Sequence, residues 1–201
     1  MKLFITGIGT DVGKTITSAI VTQALEADYW KPIQAGDLDN SDSHKIQRYI
    51  CNDKTIIHEN SYKLNTPASP HLAAAIDGIT IDLKQIKVPS TDNHLVIEGA
   101  GGLLVPLNDN DTIIDLIKPD YKIILVSRHY LGSINHTLLS AELLKQRNIS
   151  VKGIVFNGDE NLQSEKVILK LTGLEMLGRI PETSSIDKDF IQTQASTFSN
   201  L

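Results

Sequence analysis

The sequence predicts an α/β fold, a largely parallel β-sheet with helices on both faces. Three observations carry that expectation. Apolar runs alternate along the chain with helix-like segments, the order that lays strands side by side through helical crossovers. Several of those runs are unbroken Val, Ile and Leu rather than apolar–polar alternations, as in strands buried on both faces. The first run leads through a glycine-rich turn directly into a helix-like segment.

In chain order, the expected strands are Lys2–Ile5, Tyr29–Ile33, Leu95–Ile97, Ile123–Val126 and Gly153–Phe156. Leu174–Ile180 adds a further one, weakened by its glycine and charges. Helices are expected at Thr15–Ala27, Ser43–Ile50, Pro70–Ala75, Ile113–Lys118, Ile134–Arg147 and Gln163–Leu171. Residues 52–94, with Asn, Thr, Pro and Ser scattered through them, read as an inserted loop-and-helix region at the mouth of a site. At 201 residues, without repeats or a linker, the chain is expected to form one domain over 1–201.

Composition narrows the function classes. With 41% apolar and 21% charged residues, neither a disordered chain nor a membrane protein is suggested. A net charge of −5 argues against broad nucleic-acid binding, which favours a basic face. Met1–Thr6 holds too few apolar residues for a secretory signal, and no run approaches a membrane span. Cys51 is alone, so no intrachain disulfide forms and a cytoplasmic setting is expected. Cys51 itself reads as a helix packing residue.

The glycine-rich turn is Gly7-Ile8-Gly9-Thr10-Asp11-Val12-Gly13-Lys14-Thr15. Between a strand and a helix, a Gly-Lys-Thr ending reads as a phosphate cradle: the loop directs backbone N–H groups at phosphate oxygens, and the helix adds its positive end. Lys14 is placed to reach the terminal phosphates and the Thr15 hydroxyl to meet Mg²⁺. Five residues separate Gly7 from Gly13 where four are usual, and Ile8 stands at the usual glycine, so this is a variant loop. The reading is a P-loop NTPase fold that binds a nucleoside triphosphate.

In parallel sheets ligands lie beyond the carboxyl ends of the strands, and the residues there are chemically loaded. Lys31, near the end of the second apolar run, is a second cation for charge developing on a transferring phosphoryl group. Ser41 or Asp42 opens a helix, either as a cap or, for Asp42, as a carboxylate reaching Mg²⁺. Glu98 ends a strand before Gly99-Ala100-Gly101-Gly102, where an acid can hold the metal beside a closely approaching backbone. Asn157 either reads a base edge or caps the next element. His71 and His136 lack partners at metal-ligand spacing, so no transition-metal site is expected.

Together these segments resemble the dethiobiotin synthetase family, in order and through nearly the whole chain. Thr10–Thr15 matches its phosphate loop, with Asp11 where Glu often stands. Lys31-Pro32 with Gly36, Ser41-Asp42, Ser69-Pro70-His71, Glu98–Gly102 with Pro106-Leu107, and Leu131–His136 follow. The resemblance implies nucleotide contacts from Asp11, Val12, Gly13, Lys14, Thr15 and Ile16, from Asp42, and from Glu98, Gly99, Ala100 and Gly101. Asn157, Gly158, Pro181, Glu182 and Thr183 complete that set. It further implies Mg²⁺ on Thr15, Asp42 and Glu98, and catalysis by Lys14 and Lys31. Substrate contacts would come from Ala35 and from Gly132, Ser133, Ile134 and Asn135 at a homodimer interface.

The implied reaction joins 7,8-diaminopelargonate, CO₂ and ATP into a cyclic urea, ADP and phosphate. Two departures stand out. Ala35 replaces the family's common Ser or Thr, removing one potential hydrogen bond of about 0.5–1.5 kcal/mol. The tail after Pro181 is short and poorly matched. Two other readings compete: a partition-type switch ATPase, which usually carries a lysine where this loop has Gly9, and a related ATP-dependent amide-forming ligase.

Overall fold

The computed structural model describes residues 1–198 and 201, and its architecture follows from where the apolar runs can be buried. In β1 (Lys2–Gly7) Leu3, Phe4 and Ile5 are each at most 1% exposed. Leu3 and Ile5 join one core and Phe4 the other. Successive strand residues face opposite sides, so a strand without polar alternation needs cover on both.

The strands that follow are β2 (Asp28–Trp30), β3 (Ile33–Ala35), β4 (Ile57–His58), β5 (Tyr62–Leu64), β6 (Leu95–Gly102), β7 (Tyr121–Arg128), β8 (Val151–Asn157) and β9 (Met176–Ile180). Seven of them form one sheet in the order β4-β2-β6-β1-β7-β8-β9, every neighbouring pair parallel. The helices are α1 (Lys14–Leu25), α2 (Asp42–Tyr49), α3 (Pro70–Ile76), α4 (Ser133–Gln146), α5 (Leu162–Thr172) and α6 (Lys188–Thr197). Because β1 sits between β6 and β7, the chain leaves it toward one side of the sheet and later builds the other. Such a switch opens a crevice at the carboxyl ends of the strands.

Four sequence expectations change. Tyr29–Ile33 is not one strand: Pro32 has no N–H for the ladder, so β2 stops at Trp30 and the chain swings into β3. There β3 pairs with β5 in a separate two-stranded parallel sheet. Residues 52–94 therefore contribute β4 and β5 besides α3. Ile113–Lys118 is a short 3-10 turn at Ile113–Leu116, capped reciprocally by Thr112 and Asp115; Pro119 disfavours helical geometry at the residue before it. Cys51 is exposed rather than packed, just beyond the end of α2.

Candidate active site

The phosphate loop is built by β1 running out into α1. Gly13, the residue before the helix, has φ 99°, a left-handed geometry that disfavours any side chain. A Cβ there would also lie 2.3 Å from Asn157 Nδ2. Asn157 is that close because its amide donates to the Val12 carbonyl at 3.0 Å, fastening the end of β8 to the loop. The next helical element is capped by Asn161, not Asn157. Lys14 folds back over the loop and donates to the Gly9 carbonyl at 2.7 Å. Burial lowers its pKa to about 8, with Lys31 adding to the fall and Glu98 opposing it. Gly9 has nothing within 4 Å of where a Cβ would stand, so a side chain there would meet no steric bar.

Beside the loop, Lys31 is 6% exposed and Glu98 1%. The Lys31 ammonium donates to Glu98 Oε1 at 3.1 Å and to Asp42 Oδ2. Burial works against its charge, but Glu98 and Asp42 outweigh that and raise its pKa. Asp42, despite burial, is held down at about 2 by Lys31 and Lys45. The same Glu98 oxygen accepts the Thr15 hydroxyl at 2.9 Å. At the start of α2 the cap and the carboxylate are different residues. Ser41 is the N-cap, exchanging hydrogen bonds with His44, which leaves Asp42 to point its carboxylate at Lys31.

These groups open onto a cleft of roughly 750 Å³. Asp11, Gly13, Lys14, Thr15 and Ile16 form its floor, with Lys31, Ala35 and Asp42 on one wall. Glu98, Ala100 and Gly101 stand on another, and Asn157, Pro181, Glu182 and Thr183 at the far end. Val12 is buried beneath the loop, and a Cβ on Gly99 would press on the Phe4 ring; neither borders the cleft. Gly158 lines a smaller adjoining pocket. Gly132, Ser133, Ile134 and Asn135 lie apart from this cleft, at the start of α4, with Gly132 as its N-cap.

Several bordering residues were not singled out in the sequence. Arg128 ends β7 opposite Asn157, binding Glu182 at 2.7 Å and the Asp11 carbonyl at 3.5 Å. The strand-end rule would have found it had the expected strand been carried past Val126. Lys45 reaches Asp42 at 3.2 Å from one helical turn further on, a spacing readable in advance. Ile186 and Phe190 come from α6 and the segment before it, where the apolar residues are too sparse to announce a helix.

The chemistry of the donor set suits a hard divalent cation. A hydroxyl and two carboxylates converge at Thr15, Asp42 and Glu98, whereas no group of three or more His, Cys, Asp or Glu gathers among the described residues. Mg²⁺ typically takes one or two carboxylates and completes its shell with phosphate and water oxygens, which matches a site of this kind beside a phosphate loop.

Comparison with known proteins agrees with this picture. A family model described as "AAA domain" matches residues 1–189. The ATP-dependent dethiobiotin synthetase BioD of Christiangramia forsetii is 57% identical over 195 residues, covering 97% of this chain and 94% of the relative. Its namesake from Cytophaga hutchinsonii is 53% identical over 196 residues, covering 96% and 95%. Among solved structures, the ParA family ATPase from Chlorobium tepidum TLS has a TM-score of 0.58 at 14% identity, over 96% of this chain and 97% of that one. The Pyrococcus furiosus cell division ATPase MinD has a TM-score of 0.57 at 14% identity, over 98% and 97%. At such identities these two likenesses speak for the fold alone.

Proposed function

The chain belongs to the AAA-domain family and to the dethiobiotin synthetases, and on that premise we propose that it closes the cyclic urea of dethiobiotin. Its substrates in this reading are 7,8-diaminopelargonate, CO₂ and ATP. The observation that carries it is the meeting of two buried lysines, Lys14 and Lys31, with Thr15, Asp42 and Glu98 at one end of the sheet.

One substrate amine takes up CO₂ and sheds a proton, giving a carbamate. A carbamate oxygen attacks the γ-phosphorus, ADP departs, and a mixed carbamic–phosphoric anhydride results. The second amine attacks the carbonyl carbon and gives up a proton, phosphate leaves, and the five-membered ring closes. No protein nucleophile is required, so orientation and electrostatics carry the acceleration.

Each residue meets one of those demands. Lys14 and the loop amides hold the phosphates. Lys31, fixed between Asp42 and Glu98, brings its ammonium to where carbamate and γ-phosphate approach each other. Mg²⁺ on Thr15, Asp42 and Glu98 would neutralise phosphate charge when bound. Arg128, Pro181, Glu182 and Thr183 border the end of the cleft left for base and ribose, with Asn157 bracing the loop. Ala35 offers the substrate a methyl group where a hydroxyl is usual in the family.

The loop Gly132–Asn135 would act across a homodimer, the copy on a second subunit presenting its helix N-terminus to the substrate's tail carboxylate. The reading places the whole of 1–201 in one domain working in the cytoplasm, and no helix among the described residues is long and apolar enough to cross a membrane. ADP formation by purified protein with Mg-ATP, given diaminopelargonate and bicarbonate together and singly, tests the proposal. Release that needs both, with the cyclic urea identified by mass spectrometry, is the expected result. Equal ADP release with ATP alone would sink it and favour a switch ATPase.

A further inference from the structure

The two oxygens of Glu98 are held differently. Oε1 accepts the Thr15 hydroxyl at 2.9 Å and the Lys31 ammonium at 3.1 Å, both from residues that border the cleft. Oε2 accepts the Tyr29 hydroxyl at 2.9 Å, from a side chain that is fully buried and does not border it.

Strand geometry accounts for this grip. Tyr29 and Lys31 are two residues apart, so they lie on one face, while Trp30 between them enters the opposite core. β2 runs beside β6 with Tyr29 opposite Val96 and Trp30 opposite Ile97, which brings Glu98 level with Lys31. A phenylalanine would fill the same buried space. Among the described residues the hydroxyl has one hydrogen-bond partner, Glu98.

We propose that Tyr29 is a positioning residue that sets the metal preference of the site, by holding Glu98 Oε2 so that Oε1 alone is offered to a divalent cation. The inference rests on the reading of Glu98 as a metal ligand. Mg²⁺ demands a small octahedron of oxygens at short range, whereas Ca²⁺ accepts both oxygens of one carboxylate in a larger, looser shell. A carboxylate pinned at one oxygen favours Mg²⁺, and one free to turn narrows that preference.

The test is calorimetric titration of ADP into wild type and Tyr29→Phe at graded Mg²⁺ or Ca²⁺, with metal-free ADP binding and near-ultraviolet circular dichroism as checks of folding. The preference for Mg²⁺ over Ca²⁺ is expected to fall about tenfold in the variant, the order of one hydrogen bond to a charged group, while metal-free ADP affinity holds. Tyr29→Met, a flexible side chain that also lacks the hydroxyl, repeats the measurement should Phe pack poorly. A preference within about twofold of wild type in a folded variant overturns the inference. Glu98→Gln separates the two levels. If it leaves metal dependence intact, the ligand reading fails and this inference with it. If it removes that dependence while Tyr29→Phe keeps the wild-type preference, this inference alone fails.

Discussion

Replacing Lys31 with methionine removes a charge while keeping most of the side chain's bulk, and the structure sets the size of the effect. Lys31 bridges two carboxylates, but they are not equally dependent on it. Asp42 keeps Lys45 at 3.2 Å and is 16% exposed at its side chain, so water and a second cation remain to it. Glu98 is 1% exposed and loses the 3.1 Å contact, its one salt bridge among the described residues, where it then retains the hydroxyls of Thr15 and Tyr29. Breaking a buried pair usually costs about 3–5 kcal/mol of stability; with one carboxylate still neutralised, the low end of that range is expected. Removing one preorganised group that stabilises developing charge typically slows turnover by about 10²–10³. Lys14 is untouched, so KM for ATP should shift by no more than about threefold. Coupled ADP-release kinetics over varied ATP, alongside thermal unfolding, measure all three quantities. A folded Lys31→Met enzyme whose kcat stays within about threefold of wild type would refute the catalytic reading of Lys31.

Three further changes probe other parts of the molecule. Arg128→Ala should raise KM for ATP about three- to tenfold with kcat nearly unchanged, since the residue borders the far end of the cleft and its side chain is 43% exposed. Gly153→Ala should lower Tm without altering the kinetics of the folded enzyme. A Cβ there would meet the Glu175 carbonyl oxygen and Leu177 Cγ at 2.6 Å each, an overpacking of about 1–3 kcal/mol. Glu165 tests the acid limb: burial opposes its charge, but hydrogen bonds from Arg179 and His129 leave its pKa below the ordinary 4.5. A depressed carboxylate contributes stability that is present above the unfolded value and lost as pH falls through the folded one. Glu165→Gln should therefore lower Tm at neutral pH and flatten its decline below pH 4.5, while an unchanged acid slope would contradict that assignment.

How much of this was legible in the sequence depends on whether a feature was written locally. The loop from Gly7 to Thr15 was, because a tight turn, a lysine and a hydroxyl at fixed spacing express one local demand. The end of β8 was also readable, since its apolar run stops where Asn157 begins; β6 was not, because it runs on past Glu98 through the glycines to Gly102, so Glu98 lies within the strand and does not end it. Pro32 was visible but underweighted: its missing donor ends β2 and sends Ile33–Ala35 to another sheet. The helix Lys188–Thr197 was missed because it buries only Ile191 and Ala195 within itself. Its position is secured against α1 by contacts such as Gln192 to Gln23 at 3.0 Å, which no local pattern encodes. Tyr29 was read as an ordinary strand residue. Only the register between β2 and β6, a long-range pairing, turns its hydroxyl toward Glu98.

The two lysines at the centre of the site are displaced in opposite directions, and the difference sorts their work. Lys14 contacts a carbonyl and has no carboxylate within ion-pair distance among the described residues, so burial dominates and its pKa falls. Its charge is left for an incoming anion to stabilise, which is what a phosphate-binding group requires. Lys31 is embedded between Asp42 and Glu98, whose charges outweigh the burial and raise its pKa. An anion arriving there gains less from a cation already shared by two carboxylates. In the proposed reaction, Lys31 would contribute most when negative charge builds up between carbamate and phosphate, after binding is complete. On that proposal binding and transfer fall to different cations, and substitutions at Lys14 and Lys31 should divide between KM and kcat accordingly.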